Sequence, residues 1–138
     1  MNFLLTDNYL PIDIYHIKTR SMEHYKLAVI GSRSFTNEGL LNQKLDERKE
    51  QIDIIVSGGA DGADSLAEKW AEKNGVPAKI FLPNHERDVG GAYRIRNEKI
   101  AKECDVLIAF WDGASKGTEY TIEFARKLNK EVKVYTFQ

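Results

Sequence analysis

Three short segments hold the residues that could do chemistry in this chain. Gly31-Ser32-Arg33 follows the apolar run Lys26-Leu27-Ala28-Val29-Ile30. Ser57-Gly58-Gly59-Ala60-Asp61-Gly62-Ala63-Asp64 follows Ile52-Asp53-Ile54-Ile55-Val56, and Asp112-Gly113-Ala114-Ser115-Lys116-Gly117-Thr118-Glu119 follows Val106-Leu107-Ile108-Ala109-Phe110-Trp111. Each combines glycine with hydroxyl or charged side chains and leads toward a helical pattern. Glycine lets the backbone approach a ligand, and the first amides of a helix have no internal acceptors and carry the positive end of its dipole. Such turns are suited to phosphate, held mainly by main chain. Arg33 adds a guanidinium that can grip phosphate in two places, and Lys116 adds a point charge.

The elements that must position these loops alternate at short spacing. Strands are expected at Lys26 to Ile30, Ile52 to Val56, Ala78 to Leu82 before Pro83, Val106 to Phe110, and Val132 to Thr136. Between the first two, Leu40, Leu41 and Leu45 fall at helical spacing, with Thr36 or Asn37 as N-cap. A second helix presents Leu66, Ala67, Trp70 and Ala71 on one face, is capped by Asp61 or Asp64, and stops at Asn74-Gly75. A third runs from about Ala92 to Glu103 and a fourth from about Thr118 to Leu128. The unbroken apolar character of Val106 to Phe110 implies a strand covered on both faces, as in a central parallel strand.

Strands separated by helices give a parallel sheet with right-handed crossovers. The expectation is an α/β, three-layer Rossmann-like fold with a mainly parallel five-stranded sheet in the order 3-2-1-4-5. The order reverses between strands 1 and 4, so the glycine loops converge on the crevice at their carboxyl ends. No Gly-Lys-Ser/Thr follows the spacing of a Walker A loop, and Gly31-Ser32-Arg33-Ser34-Phe35 lacks the further glycines of a dinucleotide fingerprint. Nucleotide hydrolysis of the P-loop type and ordinary hydride transfer are set aside.

Composition narrows the reading further. A chain of 138 residues suits one principal domain. Its net charge of −1 and pI of about 6.3 do not describe a general polyanion binder, so nucleic acid is not expected as a partner. The lone Cys104 has no second thiol for a disulfide or zinc knuckle and reads as a small buried residue of a cytoplasmic protein. No apolar run approaches the roughly 20 residues of a membrane span, and no membrane association is expected. Residues 1 to 24 show no sustained period and read as an extension, with Phe3, Leu4, Leu5, Ile12, Ile14 and Ile17 available to pack on an edge or a second subunit. The domain proper is residues 25 to 138.

Taken together, Gly31-Ser32-Arg33, the Ser57 to Asp64 loop, Arg96-Asn97, and Ala109-Phe110-Trp111-Asp112-Gly113 leading to Gly117-Thr118 resemble the YspA-related branch of the SLOG superfamily. That superfamily also contains the Lonely Guy phosphoribohydrolases and DNA-processing protein A. The resemblance implies a domain that binds a nucleotide or nucleotide derivative, NAD-like or ADP-ribose-like, as a sensor or ligand-binding module. Phosphate would lie on the amides of Gly58 to Gly62 and Gly113 to Thr118, with Arg33, Arg96 and Asn97 reaching the same pocket. No cofactor is firmly implied beyond such a nucleotide, no metal site is expected, and a homodimer is a candidate assembly. In the hydrolases a glutamate follows the Gly-Thr pair at the third position, where this chain has Thr121. An N-glycoside or phosphoribosyl hydrolase would therefore have to use Glu119, Asp61 or Asp64. Single-stranded DNA binding is the weaker alternative. Tyr93 is available to stack on a base, Trp111 to meet a ligand ring and Trp70 to join the core, while His85 reads as a surface residue.

Overall fold

The protein is described from a computed structural model, in which residues 23–138 are described. The extension read at 1 to 24 thus lies outside the described residues except for Glu23 and His24. Five parallel strands form one sheet in the order β3-β2-β1-β4-β5: β1 (Tyr25–Gly31), β2 (Ile52–Ser57), β3 (Ala78–Ile80), β4 (Val106–Trp111) and β5 (Glu131–Thr136). The connections carry α1 (Glu38–Asp46), α2 (Ala63–Lys73), α3 (Ala92–Glu103) and α4 (Lys116–Lys127), with a short 3₁₀ turn at Lys49–Gln51 before β2. The expected Rossmann-like architecture and strand order are both present.

Alternation along the central strands divides the core into two layers. Leu27 and Val29 of β1 face the side of α1 and α2, where Leu41, Leu45, Ala67 and Trp70 are buried with Ile108 and Phe110 of β4. Ala28 and Ile30 face the other side with Leu107 and Ala109, against Ile100, Ala101 and Cys104 near the end of α3 and Ile122 and Ala125 of α4. Because side chains alternate with period two, covering both faces requires every position of a central strand to be apolar. β4 accordingly reads Val-Leu-Ile-Ala-Phe-Trp, and its first five residues are buried.

Local chemistry sets the ends of the elements. Asn37 caps α1, its side-chain oxygen accepting the Leu40 amide at 3.0 Å. Asp46 accepts the Trp70 indole N–H at 2.9 Å and ties α1 to α2. β3 is shorter than the apolar run suggests: the Phe81 amide still reaches Ser57 O at 2.8 Å, but Leu82 is exposed and Pro83 has no amide to extend the ladder. Neither Asp61 nor Asp64 caps α2. Gly62 occupies that position without a side-chain cap, and Asp64 is used elsewhere. No described helix is long and apolar enough to cross a membrane.

Candidate functional site

A cavity of about 440 Å³ opens where β1 and β4 diverge, at the predicted reversal of strand order. Ile30, Gly31 and Ser32 at the end of β1 form its floor, continued by Arg33 and Ser34. Ala60 and Asp64 line one side, Ser115, Gly117, Thr118 and Thr121 another, and Tyr93, Arg96, Asn97 and Ile100 a third. The last four stand at positions i, i+3, i+4 and i+7 of α3 and so share one face of the helix. Arg96 and Asn97 stood out in the sequence through the family resemblance. The same spacing would have singled out Ile100 and strengthened the case for Tyr93.

Asp64 organises the first loop from within. It is 5% exposed, and its Oδ2 accepts the amides of Gly58 and Ala60, each at 3.2 Å. The Gly59 amide turns to Ser57 Oγ at 3.4 Å, and Ser57 Oγ donates to Glu68 at 2.6 Å. Three loop amides are therefore met by side chains of the protein itself. Burial pushes the Asp64 carboxyl up to about 6, and the two amides and the nearby Arg96 charge only partly oppose the shift. Asp61 and Gly59 are exposed, and Ser57, Gly58, Gly59, Asp61 and Gly62 lie behind or beside the cavity rather than on its wall.

Arg96 clamps this loop from the opposite side. It is 7% exposed; Nη1 donates to Gly58 O at 2.6 Å and Nε to Asn97 Oδ1 at 2.9 Å. Gly58 lies between the two charged groups: a Cβ there would stand 2.8 Å from Arg96 Nη1 and 2.9 Å from Asp64 Oδ2. Among the described residues no carboxylate forms an ion pair with Arg96, and its Nη2 donates no hydrogen bond. Asp64 acts on it through its field alone, while burial and the charge of Arg33 pull its pKa down. An arginine nevertheless stays charged, so a buried cation faces the cavity with part of its donor set unspent.

The Asp112 loop is built differently. Asp112 Oδ1 accepts the amides of Ala114 at 2.9 Å and Ser115 at 2.8 Å, and these bonds hold its carboxyl down at about 2. Ser32 Oγ accepts the Asp112 amide at 3.0 Å and the Ser115 hydroxyl at 2.8 Å, joining the ends of β1 and β4. The turn starts α4 at Lys116, two residues before the expected Thr118. Among the described residues the amides of Lys116, Gly117 and Thr118 meet no acceptor, and Gly117 and Thr118 line the cavity. Trp111 donates its indole N–H to Ser115 O at 3.0 Å and packs with the α3 and α4 layer. Trp111, Asp112, Gly113 and Lys116 shape or flank the loop without lining the cavity.

The carboxylates considered for cleavage are dispersed. Asp64 lines the cavity, Asp61 does not, and Glu119 pairs with Lys116 at 3.7 Å away from the wall. Thr121 is buried on the wall with its hydroxyl donating to Gly117 O at 2.8 Å. At the mouth, Tyr93 is 49% exposed, with the Arg33 and Arg96 guanidinium carbons 5.5 Å and 5.7 Å from its ring centroid. His85 meets the same ring edge-on at 5.0 Å. Among the described residues no group of three or more His, Cys, Asp or Glu side chains is arranged to hold a metal ion.

A five-stranded parallel sheet with its crevice at the β1 and β4 reversal defines a Rossmann-like domain. The family model described as YspA, cpYpsA-related SLOG family matches residues 25–87, bearing out the resemblance to that branch. The Gene 61 protein of Mycobacterium phage D29 is 34% identical over 80 residues, which are 54% of this chain and 64% of that protein. DNA processing protein A from Streptococcus pneumoniae has the same fold, with a TM-score of 0.72 and 20% identity over 86% of this chain and 52% of that one. Its counterpart from Helicobacter pylori gives a TM-score of 0.64 and 22% identity over 87% of this chain and 69% of that one. The chain thus spans less than two thirds of the phage relative and about half of the pneumococcal protein.

One expectation is corrected by these similarities. Near-neutral charge had set nucleic acid aside as a partner, yet the H. pylori protein of this fold is described by its single-stranded DNA binding mode. Net charge averages over a whole surface, whereas a strand needs only a local track of donors and cations. Charge counting is therefore no ground for excluding nucleic acid from this fold.

Proposed function

We propose that the cavity binds a nucleotide or nucleotide derivative through its phosphate. The observation that carries this reading is Arg96, a cation 7% exposed on the cavity wall with no carboxylate ion pair among the described residues. A buried charge is costly unless something of opposite sign meets it, and Asp64 is too strongly engaged with loop amides to do so alone. A phosphate beside the unbonded amides at the start of α4 would satisfy Arg96 Nη2, with Arg33 closing from the mouth. Asn97 supports the same geometry, because giving Oδ1 to Arg96 leaves its Nδ2 donor group near Gly117, 3.7 Å from where a Cβ would stand. The role is that of a sensor or ligand-binding module. Isothermal titration with AMP, ADP-ribose and NAD is expected to show binding that weakens about tenfold or more in Arg33→Ala. Absence of binding by all three at millimolar concentration would sink the reading.

Single-stranded DNA is the second reading, favoured by the fold shared with the H. pylori protein. A strand would bring the same phosphate chemistry, and exposed Arg33 and Lys116 would flank its path. Binding of this kind must weaken steeply with salt as counterions are released. Unchanged mobility of a short single strand at low ionic strength would remove it.

A further inference from the structure

We infer that the Arg33 and Tyr93 side chains together form a stacking platform for a base, so that the cavity takes a nucleoside phosphate rather than phosphate or a sugar phosphate alone. This rests on the phosphate reading above and adds the other end of the ligand. Tyr93 is the aromatic residue on the cavity wall, and it is exposed. Trp111, the other ring at a neighbouring strand end, is committed through its indole N–H to Ser115 O.

The Tyr93 ring already has neighbours on several sides. Arg33 and Arg96 approach it at 5.5 Å and 5.7 Å, and His85 abuts it edge-on at 5.0 Å. A ring held in this way loses little freedom when a second π system lies on it. Arg33 is exposed, and a guanidinium plane stacks on bases as well as on tyrosine. The platform is thus phenol and guanidinium together, at the mouth of the cavity, while the unbonded amides of Gly117 and Thr118 lie on another wall. About 440 Å³ lies within the range of sites for one small ligand. Stacking tolerates any base because every base has a π face. The platform therefore selects for the presence of a base and only weakly for its identity.

The test compares AMP with ribose 5-phosphate by isothermal titration, in the wild-type chain, Tyr93→Phe and Tyr93→Ala. The expected result is a preference for AMP of about tenfold or more in the wild type. It should be kept in Tyr93→Phe and fall to near unity in Tyr93→Ala. The exposed position of Tyr93 makes loss of folding in that variant avoidable, and unchanged far-ultraviolet circular dichroism verifies this. Equal affinities in the wild type, or a preference that survives Tyr93→Ala, would overturn the platform while leaving the phosphate reading in place. Failure of both ligands to bind overturns the two together. A further titration with a short deoxyadenylate strand identifies the source: tighter binding of AMP assigns a free nucleotide, and tighter binding of the strand assigns a nucleotide within it. Either result supports the platform when it shows the same dependence on Tyr93.

Discussion

The Ser57 to Asp64 loop and the Asp112 to Thr118 loop look like two copies of one device, yet their aspartates titrate in opposite directions. Each carboxylate accepts two backbone amides of its own loop, Asp64 those of Gly58 and Ala60 and Asp112 those of Ala114 and Ser115. Asp64 is nonetheless pushed up to about 6 and Asp112 held down at about 2. Two hydrogen bonds favour the charged form in both cases; burial overrides them only at Asp64. The first loop has thus turned inward, its amides closed around an internal anion and its Gly58 carbonyl held by Arg96. The second uses its aspartate at the solvent edge and leaves the α4 amides open. Similar sequences have become a clamp and a cradle.

The largest effect that could break this contrast is expected at Gly58. A methyl group there would enter the space between Arg96 Nη1 and Asp64 Oδ2, and neither buried group can move without losing a partner. Gly58→Ala should cost about 3 kcal/mol, read as a lower urea midpoint at constant slope. A loss below about 0.5 kcal/mol would mean that the clamp is slack and that the two loops are alike after all.

Asp64→Asn addresses the same clamp through pH and should have the next largest effect. The folded carboxyl titrates at about 6 against an unfolded value of 3.8, so between these limits the folded state holds the extra proton. Stability therefore falls as pH rises from about 4 to about 6, and is flat above that range as far as this group is concerned. Asparagine keeps an oxygen for Gly58 and Ala60 but cannot ionise. The variant should lose this slope, a change of about 2 kcal/mol across the interval, and match or exceed the wild type at neutral pH. Denaturant titrations at several pH values decide it, and an unaltered slope would show that Asp64 is not the group responsible.

The strand order and the location of the crevice were legible in the sequence because they depend on patterns. Apolar continuity fixed β4, and glycine turns marked the ends of β1, β2 and β4. The availability of individual amides was not legible. It depends on Asp64 reaching back across six residues to Gly58, and on Arg96 arriving from 38 residues away to hold the same glycine. Both are tertiary contacts between side chain and backbone, and neither leaves a periodic trace. Asp61 and Asp64 looked equivalent as caps, yet one is exposed and the other buried. The early start of α4 has a similar origin, since Asp112 rather than Thr118 organises the turn.

Gly113→Ala is the smaller counterpart of Gly58→Ala, and it sharpens the comparison by separating space from backbone conformation. Gly113 has φ at +82°, but a Cβ there would meet nothing within 4 Å. Its substitution should therefore cost about 1 kcal/mol, the penalty of forcing an L-residue into the left-handed region. The loss should leave the stability slope between pH 4 and 6 intact, because Asp64 is untouched. Strain confined to Gly113 also leaves Arg96 and the Gly58 clamp in place. Any change in AMP affinity would then come from the α4 side of the cavity. Gly58 has no positive φ, so equal destabilisation by the two alanine substitutions would show that Arg96 and Asp64 yield to a Cβ there at little cost.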